Sequence, residues 1–127
     1  MKPQVVLRPA RPGLEKFMGG LEAKVMDIVW ANKNLTVKRA HYFLSKERTY
    51  AYTTVMTVMN RLVKKNFLTR EKVSHSYQYT PVMGREEFID YAIAETIVSL
   101  KADFPVAWDK ARSTSKAANK GGKRKSP

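Results

Sequence analysis

The amino-acid sequence predicts a mainly α chain with a small antiparallel β-hairpin: a winged helix-turn-helix domain followed by a long C-terminal helix. Three observations predict it. Apolar residues recur at helical spacing in three short segments ahead of residue 66. The period then changes from 3.6 to 2 over "FLTREKV" and "SYQYTP". Helical spacing returns over "GREEFIDYAIAETIVSLKADF".

Residues 1–13, with Pro3, Arg8, Pro9, Arg11 and Pro12, read as a basic extended arm, expected to be disordered rather than fitted to a groove. The winged domain is expected over residues 14–82. Leu21, Val25, Ile28 and Val29 fall at i, i+4, i+7 and i+8, a single stripe on a first helix that opens after Gly19 and Gly20. Thr36 is placed to cap a second helix whose Val37, Ala40, Phe43 and Leu44 share one face. A third helix is expected from about Ala51 to Lys65, ended by Asn66, a residue that tolerates the left-handed conformation. Tyr77 and Tyr79 share one side of the hairpin, whose turn lies near Ser74 and His75; without Gly its type stays open. Residues 83–112 form a C-terminal helical region. Its long helix carries Glu86, Glu87 and Asp90 near the start, where the helix dipole favours acids, and is expected to stop at Pro105. Residues 113–127 close the chain as a lysine-rich tail expected to be disordered.

Charge narrows the function. The 24 Lys and Arg against 11 Asp and Glu give a formal charge of +13, which fits a polyanionic partner better than a small neutral one. Double-stranded DNA leads and a membrane surface comes second. Seven of the basic residues lie in "KARSTSKAANKGGKRKSP", which has no acid, so the remainder of the chain is only mildly basic. No apolar run suits a spanning helix and "MKPQVVLRPARPG" is too broken for a signal peptide, so a cytoplasmic location without stable membrane association is expected. The chain has no Cys, which excludes disulfides, thiol catalysis and thiolate metal sites. His41 and His75 are isolated, and no cofactor is expected. Catalysis is not expected either: there is no nucleophile with a positioned base, no Gly-rich phosphate loop, and no carboxylate pair outside a helix start.

In a winged helix the third helix enters the major groove and the hairpin lies against the phosphate backbone. At 100° per residue, Ala51, Tyr52, Val55, Val58, Met59 and Leu62 cluster on one side of the third helix. The other side shows Thr53, Met56, Thr57, Asn60 and Lys64, flanked by Thr54 and Arg61, with no acid from Ala51 through Thr69. Small hydroxyls allow close approach, Thr and Met methyls suit the thymine methyl, Asn60 suits adenine, and Arg61 suits guanine or phosphate. Arg70 and Lys72 alternate on one side of the first wing strand, where phosphate contact and simple solvation remain alternatives. Tyr50, just ahead of the helix, is placed to reach a phosphate, whereas Trp30 is expected to pack at the end of the first helix.

The segments "LEAKVMDIVW", "TVKRAHYFL", "YTTVMTVMNRLVKKNFLTREK" and "YQYTPVMGREEF" resemble, in order and spacing, the penicillinase repressor family, the BlaI/MecI-like winged-helix regulators. The resemblance covers about residues 17 to 90 and is most specific in the third helix. It implies a bacterial repressor that binds a palindromic operator as a homodimer, with operator contact by Thr53, Thr54, Thr57 and Arg61. It also implies C-terminal dimerisation and control by a membrane-bound sensor protease. The chain departs from the family's pattern in several places. Ser74 and His75 stand in the turn where Gly is common, and Asn66 stands where Gly usually ends the third helix. One long helix replaces two, and the family's Asn-Phe cleavage pair is missing after the wing. The only such pair is Asn66-Phe67.

Ile89, Ile93, Ile97, Leu100 and Phe104 lie along one side of the post-wing helix, with Phe88 and Ala92 widening the stripe. It either folds back on the domain or pairs with a twofold mate, and pairing is favoured because a small winged helix has little core left to cover it. Two other functions fit parts of the sequence: a sequence-tolerant, nucleoid-type DNA binder, and a winged helix used as a protein-interaction module.

Overall fold

The computed structural model describes the backbone of residues 2–121 and the side chains of residues 2–114. It contains five α-helices, one short 3₁₀ turn and one two-stranded antiparallel sheet among these residues. The chain divides into two units, Met1–Asp90 and Tyr91–Pro127.

In the first unit, Pro12 opens the 3₁₀ turn Gly13–Lys16, which buries Leu14. Helix α1, Gly20–Ala31, buries Glu22, Ala23, Val25, Met26 and Val29. Leu21 and Ile28, placed on the apolar stripe by spacing, are only half-buried. Helix α2, Val37–Leu44, begins as expected: the Thr36 hydroxyl accepts the Arg39 N–H at 3.2 Å. Helix α3, Tyr52–Lys64, has no side-chain cap and is held by its buried face of Val55, Val58, Met59 and Leu62. Tyr52 is 47% exposed, contrary to its inward place on the wheel. As the first residue of the helix it has no preceding turn to lean on, and its ring instead meets His41 edge-on at 5.8 Å.

Helix α3 ends in a Schellman motif. Asn66 takes φ 67°, the Phe67 N–H donates to Leu62 O at 2.9 Å, and the Asn66 N–H donates to Val63 O at 3.1 Å. The chain leaves directly into β1, Leu68–Val73, which pairs with β2, Ser76–Pro81. Ser74 supplies a positive φ of 61° at the first of the two turn positions, and His75 does not share it. That sign pattern is the type II′ arrangement, which ordinarily selects Gly. The Tyr79 N–H also donates to Leu35 O at 2.8 Å, tying the segment before α2 to the wing.

The arm is ordered, contrary to expectation. Pro3 is buried, the Gln4 N–H donates to Lys65 O at 2.9 Å, and Asn66 Nδ2 donates to Lys2 O at 3.2 Å. The last carbonyls of a helix lack partners within it, and the arm supplies one for α3. Phe17 and Phe67 meet Phe88, the former edge-on at 6.2 Å and the latter at 5.4 Å, so Phe88 is a core residue and not part of an outer stripe. Trp30 packs at the end of α1 as expected, with its Nε1–H donating to Met83 O at 2.8 Å.

Helix α4, Arg85–Asp103, opens in the first unit and runs into the second. Pro105 does not close the helical region; it begins α5, Pro105–Gly121. A proline fits the first turn of a helix because its missing N–H would have no partner there. Backbone described as helical thus covers residues 113–121 of the expected disordered tail, and residues 122–127 lie outside the described residues. The stretch has neither Gly nor Pro between Val106 and Lys120, and its Ala, Lys and Arg are strong helix formers.

Candidate nucleic-acid interface

The outer face of α3 is built as its spacing indicates. Thr53, Thr54, Met56, Thr57, Arg61 and Lys64 are exposed, while Val55, Val58, Met59 and Leu62 anchor the opposite side. Arg70 and Lys72 are exposed on β1. The register places Arg70 opposite Tyr79 and Lys72 opposite Tyr77, so these four side chains share one face of the wing. Glu71, opposite Gln78, falls on the other face. The acid is thereby turned away from the cations.

Between α3 and the wing lies a groove of about 240 Å³, bordered by Lys38, Tyr52, Met56, Asn60, Arg70 and Tyr77. His75 and Ser76 reach it from the turn, and Thr36 from the start of α2. Lys38, Tyr52, Tyr77 and His75 were not legible as members. Lys38 is one cation among many in the sequence, and the two tyrosines read as apolar.

Three expected contact residues, Asn60, Arg70 and Arg61, have further duties. Asn60 Oδ1 accepts from Arg70 Nη1 at 2.7 Å and from the Tyr79 hydroxyl at 2.9 Å. An amide oxygen has two lone pairs, so the oxygen needed to accept from adenine is already engaged. Arg61 Nε donates to Glu22 Oε2 at 3.1 Å, with the arginine side chain 49% exposed. Its guanidinium is thus held from the inside of the domain.

Glu22 is the residue that spacing passed over. Its carboxylate is buried and accepts from Gly19 N at 2.8 Å, from Arg61 Nε, and from Lys65 Nζ at 3.0 Å. Burial pushes its pKa up most strongly of the single influences, yet the Gly19 N–H, Lys65 and Arg61 together outweigh it and hold the carboxyl below its ordinary 4.5. Glu22 thereby joins the start of α1 to the last turn of α3.

Tyr50 is half-buried, with the Arg48 guanidinium 5.3 Å from its ring centre, and its carbonyl accepts from His41 Nε2 at 2.7 Å. In the second unit, Ile93, Ile97, Leu100 and Phe104 are exposed along α4 and at its end, and Val106 is exposed at the start of α5. Ile89, in the first unit, is half-buried, and Ala92 is buried. The exposed stripe is therefore narrower than spacing suggests.

Residues 18–104 match the family model described as Penicillinase repressor. The chain belongs to the penicillinase repressor family. Among relatives, the transcriptional regulator BlaI of Mycobacterium tuberculosis is 44% identical over 73 residues, covering 57% of this chain and 53% of that protein. The penicillinase repressor of Bacillus licheniformis is 29% identical over 69 residues, covering 54% of each. The chain spans about half the length of these curated relatives. The solution structure of the DNA binding domain of the repressor BlaI is similar with a TM-score of 0.50 at 27% identity, over 55% of this chain and 85% of that one. The winged-helix assignment and the family resemblance both stand on these likenesses, and the family is one of repressors rather than of enzymes. No helix among the described residues is long and apolar enough to cross a membrane.

Proposed function

We propose that this member of the penicillinase repressor family is a sequence-specific DNA-binding transcriptional repressor that occupies a palindromic operator as a homodimer. The observation that carries the reading is the exposed, acid-free face of α3, with Thr53, Thr54, Met56 and Thr57 at its open end and Arg61 and Lys64 behind. Hydroxyls and methyls at the open end match base edges, and the cations match phosphate. Arg70 and Lys72 on the wing extend the cationic surface along the duplex backbone. Repression follows from occupancy: two α3 helices in successive major grooves block access to the promoter.

Pairing of two chains is supported by the exposed Ile93, Ile97, Leu100 and Phe104, with Ile89 at the edge of the stripe. A cytoplasmic location belongs to the same reading. Relief by a sensor protease that cuts at Asn-Phe meets a physical obstacle in this chain. Asn66-Phe67 closes the Schellman motif and Phe67 is 2% exposed, so cleavage there requires α3 to open first.

Selection of duplexes from a random pool, followed by mass measurement of the complex, tests the proposal. A palindromic consensus bound by two chains is the expected result. Binding without enrichment of any sequence would instead establish the nucleoid-type reading, for which the seven cations from Lys110 onward speak.

A further inference from the structure

The Asn60 amide oxygen is the point at which recognition helix and wing are fastened together. It accepts from Arg70 Nη1 at 2.7 Å on β1 and from the Tyr79 hydroxyl at 2.9 Å on β2. Neither donor is loosely held. The Arg70 guanidinium lies 4.2 Å from the centre of the Tyr77 ring, a cation–π arrangement that fixes its plane. Tyr79 is 1% exposed, and its N–H donates to Leu35 O, so its ring is set by the body of the domain. One side chain of α3 thus touches both wing strands through groups that are themselves fixed.

We propose that Asn60 is a positioning residue that sets the angle between α3 and the wing, and that it contributes to operator choice without touching a base. The proposal rests on the DNA-binding reading above. A helix in the major groove and a hairpin on the backbone engage together only if their separation matches the duplex. A free wing would let each find its own optimum. Fastening them makes the protein sensitive to local groove width and bend, which vary with sequence at positions that no side chain reads. Arg70 gains a second consequence. Held by Asn60 and Tyr77, it presents its guanidinium beside the groove at little further cost in rotamer entropy when phosphate arrives.

The test uses the full chain with Asn60→Leu, which removes the acceptor at similar volume, and Tyr79→Phe, which removes one hydroxyl. Amide hydrogen exchange over residues 68–81 of the free protein reads the fastening directly, with α1 as internal control. Phosphate-ethylation interference on the selected duplex reads where the wing rests. Asn60→Leu is expected to speed wing exchange, to erase the interference at wing-contacted phosphates, and to weaken binding about tenfold, as for loss of a hydrogen bond to a charged group. Tyr79→Phe should do the same to a smaller extent, and the double variant should be no worse than Asn60→Leu alone, because both act through one oxygen. Asn60→Asp, which keeps the acceptor, should restore slow wing exchange in the free protein.

Unchanged wing exchange and interference in both single variants would overturn the proposal. So would lost discrimination at one A·T pair with the wing footprint intact, since that outcome makes Asn60 a base reader. If the wild-type chain binds no duplex, the functional reading falls, while exchange in the free protein still decides whether Asn60 fastens the wing.

Discussion

Thr57 and Arg61 stand on the same face of α3 but differ in what else they hold. Thr57 is exposed, with its side chain on the open surface, so Thr57→Ala should cost roughly 1 to 3 kcal/mol on the selected operator and little on random duplex, measured by fluorescence titration on both. Arg61→Ala should weaken both operator binding and the fold, because it also removes a partner of buried Glu22. Chemical denaturation separates the two effects. Glu22 has its own signature in pH. Its pKa is lowered in the folded chain, so the stability it contributes is fully present above 4.5 and is lost as pH falls through the lower folded value. Urea midpoints measured down the acid limb should fall less steeply in Glu22→Gln, which no longer titrates. The sequence did contain a signal for this residue, because Glu22, Val25, Met26 and Val29 fall at i, i+3, i+4 and i+7. A charged residue in that pattern reads as the edge of a stripe until the cations that meet it are known. Those cations, Arg61 and Lys65, lie about forty residues on, beyond the reach of local periodicity. Asn60 was read as an adenine contact, and its bonds to the wing went unseen for the converse reason: an amide on the outer face of a helix gives no hint that two strands approach it.

At the scale of elements, the positions and types of α1 to α3 and of the hairpin were legible because each has a complete local cause. Thr36 caps, Asn66 turns, and the apolar period shifts where the strand begins. Two elements were not. The Pro105 rule that helices stop before proline is sound for α4, but the same residue suits the first turn of α5. The arm was read as disordered because its own residues bury little, and its order comes from carbonyl and amide partners on another element. The wing turn offers a test at this scale. Ser74 holds a φ of 61°, which costs a residue with a Cβ about 1 kcal/mol. Ser74→Gly should therefore raise thermal stability, with the gain visible in the melting temperature. Asn66→Gly should gain less at its own φ of 67°, because Asn tolerates that conformation and its amide also donates to Lys2 O.

For the whole molecule, the proposed homodimer and the basic C-terminal residues each lead to a test. Ile97→Asp places a charge on the exposed stripe of α4, so sedimentation at micromolar concentration should show wild-type dimers and variant monomers. A monomeric wild type, with no second chain on the operator, would remove the homodimer from the proposal. Deleting residues 122–127 removes Lys123, Arg124 and Lys125 from the sequence. Binding should weaken alike on operator and random duplex, and the slope of log affinity against log salt should become shallower, with no change in the preferred sequence. The seating of the arm has a consequence for how the molecule is made. The Lys2 carbonyl meets a partner 64 residues later in the chain, so during vectorial synthesis residues 2–4 leave the ribosome long before α3 exists to receive them. The last turn of α3 is thus completed by a segment synthesised well ahead of it.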